Sequence, residues 1–252
     1  MCLIVFAWNQ HPDYRLILAA NRDEFHGRPT QDARWWADQP NILAGRDLQA
    51  GGTWLALSRA GRFATVTNYR EQAFTKAHHK SRGELVTDFV NSDKSPASFS
   101  RSIDGPDYAG FNLISADLRD ESSSISYVSN RDDPLAELDA GVYGLSNATL
   151  DTPWVKLTRS KERLTALIAD DDVNETSLMR LLADREIAKE DADTEFLSIK
   201  QARAITAPFI VTEEYGTRCS SILLWRNSGE VEFVERRFDA SGDQTGQSRF
   251  TF

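Results

Sequence analysis

Short apolar runs broken at close intervals by turn residues constrain this chain more than any other feature. Residues 2–8 and 14–20 are two such runs, and the polar Asn9-Gln10-His11-Pro12-Asp13 joins them, which predicts a β-hairpin. Residues 53–58 and 62–68 flank Arg59-Ala60-Gly61, a short turn ending in glycine, and predict a second hairpin. Further strands are expected over 111–116, 124–128 and 141–146, and at the C-terminal end over 209–212, 220–225 and 230–235. Helix signals punctuate this series. Ser81-Arg82-Gly83-Glu84 reads as a capping box ahead of Leu85, Val86, Phe89 and Val90, and Pro96 opens a second, short helix. Asp151-Thr152-Pro153 reads as a helix start ahead of Trp154, Leu157, Leu164, Leu167 and Ile168, and Leu178, Leu181 and Leu182 mark one more helix. Hairpins outnumber strand–helix–strand units, so the sheets should be mainly antiparallel with helices layered outside them. The expected class is α+β, two stacked sheets between helical layers, in a single domain over 1–252. The stretch 21–52, rich in Arg, Asp, Pro and Gly, is expected as a long functional loop, and its Trp35 and Trp36, with Trp54, could floor an apolar pocket or be plain core.

Charge and cysteine content narrow the function classes. The net charge of −9 is spread over scattered basic residues, which argues against a nucleic-acid surface or an anionic-membrane surface. No segment approaches the roughly 18–20 apolar residues that span a bilayer. The apolar opening lacks a basic flank and a small-residue cleavage site, so it reads as a strand rather than a signal peptide. Cys2 and Cys219 are the two cysteines, without a CxxC pair, and a reducing cytoplasmic setting is expected. The histidines His11, His26, His78 and His79 show no metal-ligand spacing, and none ends an apolar strand where a Cys–His pair would be placed. Asp170-Asp171-Asp172 reads as a solvated loop. No metal or cofactor is expected.

Cys2 is the most informative position. Methionine aminopeptidases remove Met1 ahead of a side chain this small, which would leave one residue carrying a thiol and a free α-amine. With ordinary pKa values of about 8.5 and about 8, each group is partly in its reactive form near neutral pH, so the residue brings its own general base. The other reading is a small buried residue at a strand start. The polar string Asn21-Arg22-Asp23-Glu24 directly follows the second apolar run. If the first two runs form a hairpin, this string lies beside Cys2, where a carboxylate could hold the ammonium group and an arginine could favour the thiolate. A charged turn with a surface ion pair is the alternative.

Seven motifs in order then carry a resemblance over nearly the whole chain: Met1-Cys2-Leu3-Ile4, Ala20-Asn21-Arg22-Asp23-Glu24, Gly51-Gly52-Thr53-Trp54, Thr67-Asn68-Tyr69-Arg70, Ser81-Arg82-Gly83, Tyr143-Gly144-Leu145-Ser146-Asn147 and Gly216-Thr217-Arg218. Together they resemble the NRDE, or transport-and-Golgi-organisation, family, itself similar to the cysteine branch of the Ntn hydrolases (choloylglycine hydrolases and penicillin V acylases). The resemblance implies a four-layer αββα sandwich. It implies Cys2 as nucleophile, Asp23 holding its α-amine, Asn68 and Asn147 lining the oxyanion site, and Arg218 as a second arginine near the thiolate, with Asn21 and Arg22 completing the candidate set. The acylase branch carries an arginine three residues before its aspartate; this chain has Ala20 there, so Arg22 would supply that charge. Two functions follow. One is a cofactor-independent amide or acyl hydrolase acting on a small molecule through acyl-Cys2. The other, suggested by family members linked to haem trafficking and lipid metabolism, is a carrier of haem or a lipid-like ligand in an apolar pocket.

Overall fold

The computed structural model describes residues 2–71, 80–119, 123–131, 135–188 and 198–252. Met1, His78 and His79 lie outside the described residues. In chain order the elements are β1 (Cys2–Trp8), β2 (Tyr14–Phe25), β3 (Thr30–Trp35), β4 (Ile42–Asp47), β5 (Leu55–Ser58), β6 (Arg62–Asn68), α1 (Arg82–Asn91) and α2 (Pro96–Arg101). There follow β7 (Phe111–Asp117), β8 (Ser124–Ser129), β9 (Ala136–Glu137), β10 (Gly141–Leu145), α3 (Val155–Ala169), α4 (Glu175–Leu182) and α5 (Ile199–Ala204). The chain closes with β11 (Tyr215–Arg226), β12 (Val231–Phe238) and β13 (Gln244–Thr251). The class is α+β, and the paired strands are antiparallel throughout both sheets. No helix among the described residues is long and apolar enough to cross a membrane. The chain divides into two compact units.

The first unit comprises Met1–Gly27, Ala140–Ser146 and Leu150–Phe252 and holds a six-stranded sheet in the order β10-β1-β2-β11-β12-β13. Strand alternation sorts its side chains. Leu3, Val5 and Ala7 of β1, Ile17 and Ala19 of β2, Ile222 and Leu224 of β11 and Val234 of β12 share one buried cluster with Leu157 and Leu164 of α3 and Leu178, Met179, Leu181 and Leu182 of α4. Burying each such leucine contributes about 1.5–3 kcal/mol, so this face is where the register is specified. α4 is capped reciprocally by Asn174 and Ser177. α3 begins at Val155 rather than at the expected Asp-Thr-Pro signal, and its N-cap Trp154 offers no side-chain bond. Asp151 is instead used by the turn out of β10: it adopts a left-handed conformation (φ 60) and accepts 2.7 Å bonds from the Gly144 N–H and Lys161 Nζ. Residues 209–212 are not a strand. They make a tight reversal into β11 with one isolated bridge, Val211 to Gly216, and a Cβ on Gly216 would stand 2.7 Å from the Ile210 carbonyl oxygen, which is why glycine is needed there.

The second unit comprises Arg28–Asp139 and Asn147–Thr149, with a seven-stranded sheet in the order β3-β4-β5-β6-β7-β8-β9. Ile42, Ala44, Ala56, Ala64, Val66, Phe111 and Leu113 pack under Leu85, Val86, Phe89 and Val90 of α1. The stretch 21–52, expected as a loop, holds the end of β2 and all of β3 and β4. Trp36 belongs to the core, its indole N–H donating to the Ala44 carbonyl at 3.0 Å, and Arg46 lies over its ring. Two quoted motifs meet in this unit. A Cβ on Gly52 would lie 2.7 Å from the Gly83 carbonyl carbon, so both glycines serve a backbone crossing that a side chain would block. Ser81 caps α1 by accepting from the Gly83 N–H; Glu84 sits in the first turn without closing a box.

Candidate functional site

β1 and β2 run antiparallel with Cys2 opposite Arg22, and β2 and β11 with Arg22 opposite Cys219. Directly opposed residues share a face, so Cys2, Arg22 and Cys219 form one row on the face that turns away from α3 and α4. Cys2 is half-buried, and its carbonyl accepts a 2.7 Å bond from Ser146 Oγ. Arg22 is buried, with a guanidinium nitrogen 3.6 Å from Glu24 Oε2. Burial raises the Cys2 thiol above its ordinary pKa and the Asp23 charge adds to the rise, while the chain's amino-terminal charge, the Asp23 N–H and the Arg22 charge pull it down. Arg22 thus acts on Cys2 as the sequence implied, but desolvation outweighs it and the net direction is upward. Ala20, where the acylase branch carries arginine, is buried opposite Ile4.

Asp23 is buried and fixed from three directions. Thr217 Oγ1 donates to its Oδ1 at 2.7 Å, the Tyr215 hydroxyl donates to its carbonyl at 2.9 Å, and its own N–H serves the Cys2 thiol. Burial pushes its carboxyl up to about 6, against the opposing pull of the chain's amino-terminal charge and then of Lys156, the Thr217 hydroxyl and Arg22. Lys156, in the first turn of α3, is itself buried and donates to the Ile205 carbonyl at 3.0 Å.

Two other candidates from the sequence have different work. The Asn21 amide donates to the carbonyls of Leu182 (2.9 Å) and Pro208 (2.8 Å) and its oxygen accepts from Ser220 Oγ (2.6 Å), all on the helix side of the sheet and on the opposite face from Cys2. Asn21 therefore anchors the strand that carries Arg22 and Asp23 rather than lining the thiol. Arg218 was expected near the thiolate. It falls in a β-bulge between Thr217 and Cys219, and its guanidinium donates to the carbonyls of Phe25 (2.9 Å) and His26 (3.0 Å).

In the second unit the structure brings Asn68 and Asn147 together. Asn147 is buried; its Nδ2 donates to the Asn68 carbonyl at 2.8 Å and its own carbonyl accepts from the Arg70 N–H at 2.7 Å. Asn68, at the end of β6, contributes its backbone there and leaves its side chain exposed. Sequence reasoning assigned no role to Ser146, Tyr215 or Thr217. Ser146 and Thr217 lay inside quoted motifs, but only the register reveals what they touch.

A family model described as Transport and Golgi organisation 2 matches residues 1–240, which takes in every candidate residue above. The chain belongs to the Transport and Golgi organisation 2 family. The human Transport and Golgi organization protein 2 homolog is 39% identical, covering 100% of this chain and 99% of its own. The Drosophila melanogaster Transport and Golgi organization protein 2 is 27% identical over 93% of this chain and 91% of its own. Among solved structures, penicillin V acylase from Agrobacterium tumefaciens superposes with a TM-score of 0.50 at 11% identity, covering 99% of this chain and 90% of that one. At that identity the likeness speaks to the fold, and it puts the Transport and Golgi organisation 2 chain in the Ntn-hydrolase fold.

Proposed function

We propose that the protein is a cofactor-independent N-terminal-nucleophile hydrolase that cleaves a small-molecule amide, or another acyl bond, through an acyl-Cys2 intermediate. One observation carries the reading: Cys2 opens β1, half-buried, with Arg22 opposite it and the Asp23 N–H on its thiol. Removal of Met1 would expose the Cys2 α-amine at the start of β1. The antiparallel register makes Asp23 the residue just beyond Cys2's partner, where its carboxylate would hold that amine as an ammonium counter-ion. The amine, in its neutral form, takes the thiol proton; sulfur attacks the acyl carbon; the proton passes to the leaving nitrogen as the C–N bond breaks. Water then attacks the thioester, releasing the acid and restoring the thiol. Asn68 and Asn147 keep, by resemblance, the role of oxyanion donors, a role typically worth about 3 kcal/mol in acyl transfer.

Intact-mass spectrometry of the purified protein before and after an activated acyl donor tests this. The reading expects a chain short by one methionine that gains one acyl group on Cys2 and then loses it. A homogeneous chain retaining Met1 removes the base and the mechanism with it. A carrier of haem or a lipid-like ligand on the same fold is the alternative, and it is the outcome if a panel of esters and amides leaves Cys2 unmodified while haem or lipid binds.

A further inference from the structure

The bulge in β11 does more than displace Arg218. Ser220 opposes Asn21 and lies on the helix side of the sheet, and Cys219 opposes Arg22 on the other side. Regular alternation would return Thr217 to the side of Cys219. The register shift between Thr217 and Cys219 inserts one residue, reverses the alternation and sets Thr217 opposite Asp23, on the helix side. The hydroxyl that arrives there has its direction settled. Its oxygen accepts the Ile210 N–H at 2.9 Å, and the Thr217 N–H returns a 2.9 Å bond to the Ile210 carbonyl. A hydroxyl has one proton, and with Ile210 on its acceptor side that proton goes to Asp23 Oδ1 at 2.7 Å. The Tyr215 hydroxyl fixes the Asp23 backbone from the same strand.

We propose that Thr217 is a positioning residue for the reaction: delivered by the bulge, its hydroxyl orients the Asp23 carboxylate and favours the ionised form that would hold the Cys2 α-amine. This rests on the hydrolase reading for its consequence in catalysis, though not for its effect on Asp23. The charged and titratable groups around Asp23 are the chain's amino-terminal charge, Cys2 from β1, Arg22 on its own strand, Lys156 from α3 and Tyr215 from β11. Lys156 and Arg22 also favour the carboxylate, whereas burial and the approach of a thiolate oppose it, so the Thr217 hydrogen bond works against a strong desolvation.

The test pairs two readouts on Thr217→Val, Thr217→Ser and Thr217→Ala: the titration of the Asp23 side-chain carboxyl by carbon NMR on aspartate-labelled protein, and the pH–rate profile of Cys2 acylation. Thr217→Val should raise the titration midpoint and the acid limb of the rate together by about one pH unit, the tenfold change in proton affinity that one hydrogen bond to a charged group represents. Thr217→Ser should restore both. If Thr217→Val does not fold, the Ser and Ala variants, which share the lost methyl and differ in the hydroxyl, should differ by the same amount. An Asp23 midpoint unchanged in a folded Val or Ala variant, with stability alone reduced, overturns the proposal and leaves Thr217 as a structural partner of Ile210. The two failures are separable. No acyl adduct on wild-type Cys2 together with a shifted Asp23 titration removes the hydrolase reading and keeps the positioning of Asp23; an adduct with no shift does the reverse.

Discussion

Cys2 and Cys219 flank the same arginine on the same face of one sheet, and their surroundings make different chemistry of the same side chain. Cys2 is the first residue of β1, half-buried, with its carbonyl held by Ser146 and its thiol beside the Asp23 N–H. Cys219 sits inside β11 with a strand on either side, fully enclosed, and burial together with the Glu235 charge pushes its thiol well above the ordinary value although Arg22 pulls it down. Both thiols are raised, so the arginine they share does not distinguish them. What does is position in the strand: an end leaves access and a place for an amine, and a middle leaves neither. The two cannot relieve each other by oxidation either. They are two strands apart, a Cα separation of roughly 9–10 Å at ordinary strand spacing, beyond what a disulfide spans.

The largest effect that would break this comparison is on turnover. Cys2→Ala should abolish the acyl adduct, while Cys219→Ala should keep it and lose stability by about 1 kcal/mol; an adduct that survives Cys2→Ala assigns the chemistry elsewhere. Next in size, Asn147→Ala should slow acylation of Cys2 by about a hundredfold if the amide serves the oxyanion. Because that amide also holds the Asn68 carbonyl, an unchanged rate with about 1 kcal/mol of lost stability makes Asn147 a turn residue. Labelling comes third. Under limiting alkylation Cys2 should react at least about tenfold faster than Cys219, because access and the Asp23 N–H favour its thiolate. Peptide mapping that finds equal labelling, or preference for Cys219, erases the distinction.

The last effect is on stability against pH, and it tests the site's acid rather than its thiols. Asp23 titrates near 6 in the folded protein, above the ordinary 3.8, so the folded state holds its proton more tightly than the unfolded chain. Stability from this group is therefore full below about pH 4, declines as pH rises, and is gone above about pH 6. Two units correspond to roughly 2–3 kcal/mol. Denaturant midpoints of wild type minus Asp23→Asn across pH 4–7 should show that decline, and a flat difference means Asp23 is not the buried acid described here.

Much of the scaffold was legible in the sequence, and for a physical reason. The hairpins of β1–β2 and β5–β6 and the apolar faces of α1, α3 and α4 are local periodicities, and local patterns survive translation into structure. Cys2 beside Arg22 and Asp23 followed from the hairpin alone, since pairing fixes neighbours without any distant information. The losses share a cause as well. β3 and β4 carry so many charged outward residues that they read as loop. β13, whose Gln, Thr, Ser and Gly alternate with little apolar signal, was not read at all. Where the side chains of Arg218 and Asn21 go is decided by one bulge and one face assignment, and neither is written in the motif. Thr217 went unassigned because its role depends on the same bulge.

The most direct measurement is the mass of the protein at its first strand. Purified chain is mixed rapidly with an activated acyl ester, quenched, weighed intact and mapped, alongside Cys2→Ala. The account predicts wild type lacking one methionine and carrying one acyl group on the peptide that begins with Cys2, and a mutant with none. A chain that keeps Met1 throughout, or an acyl group found on the Cys219 peptide, would contradict it.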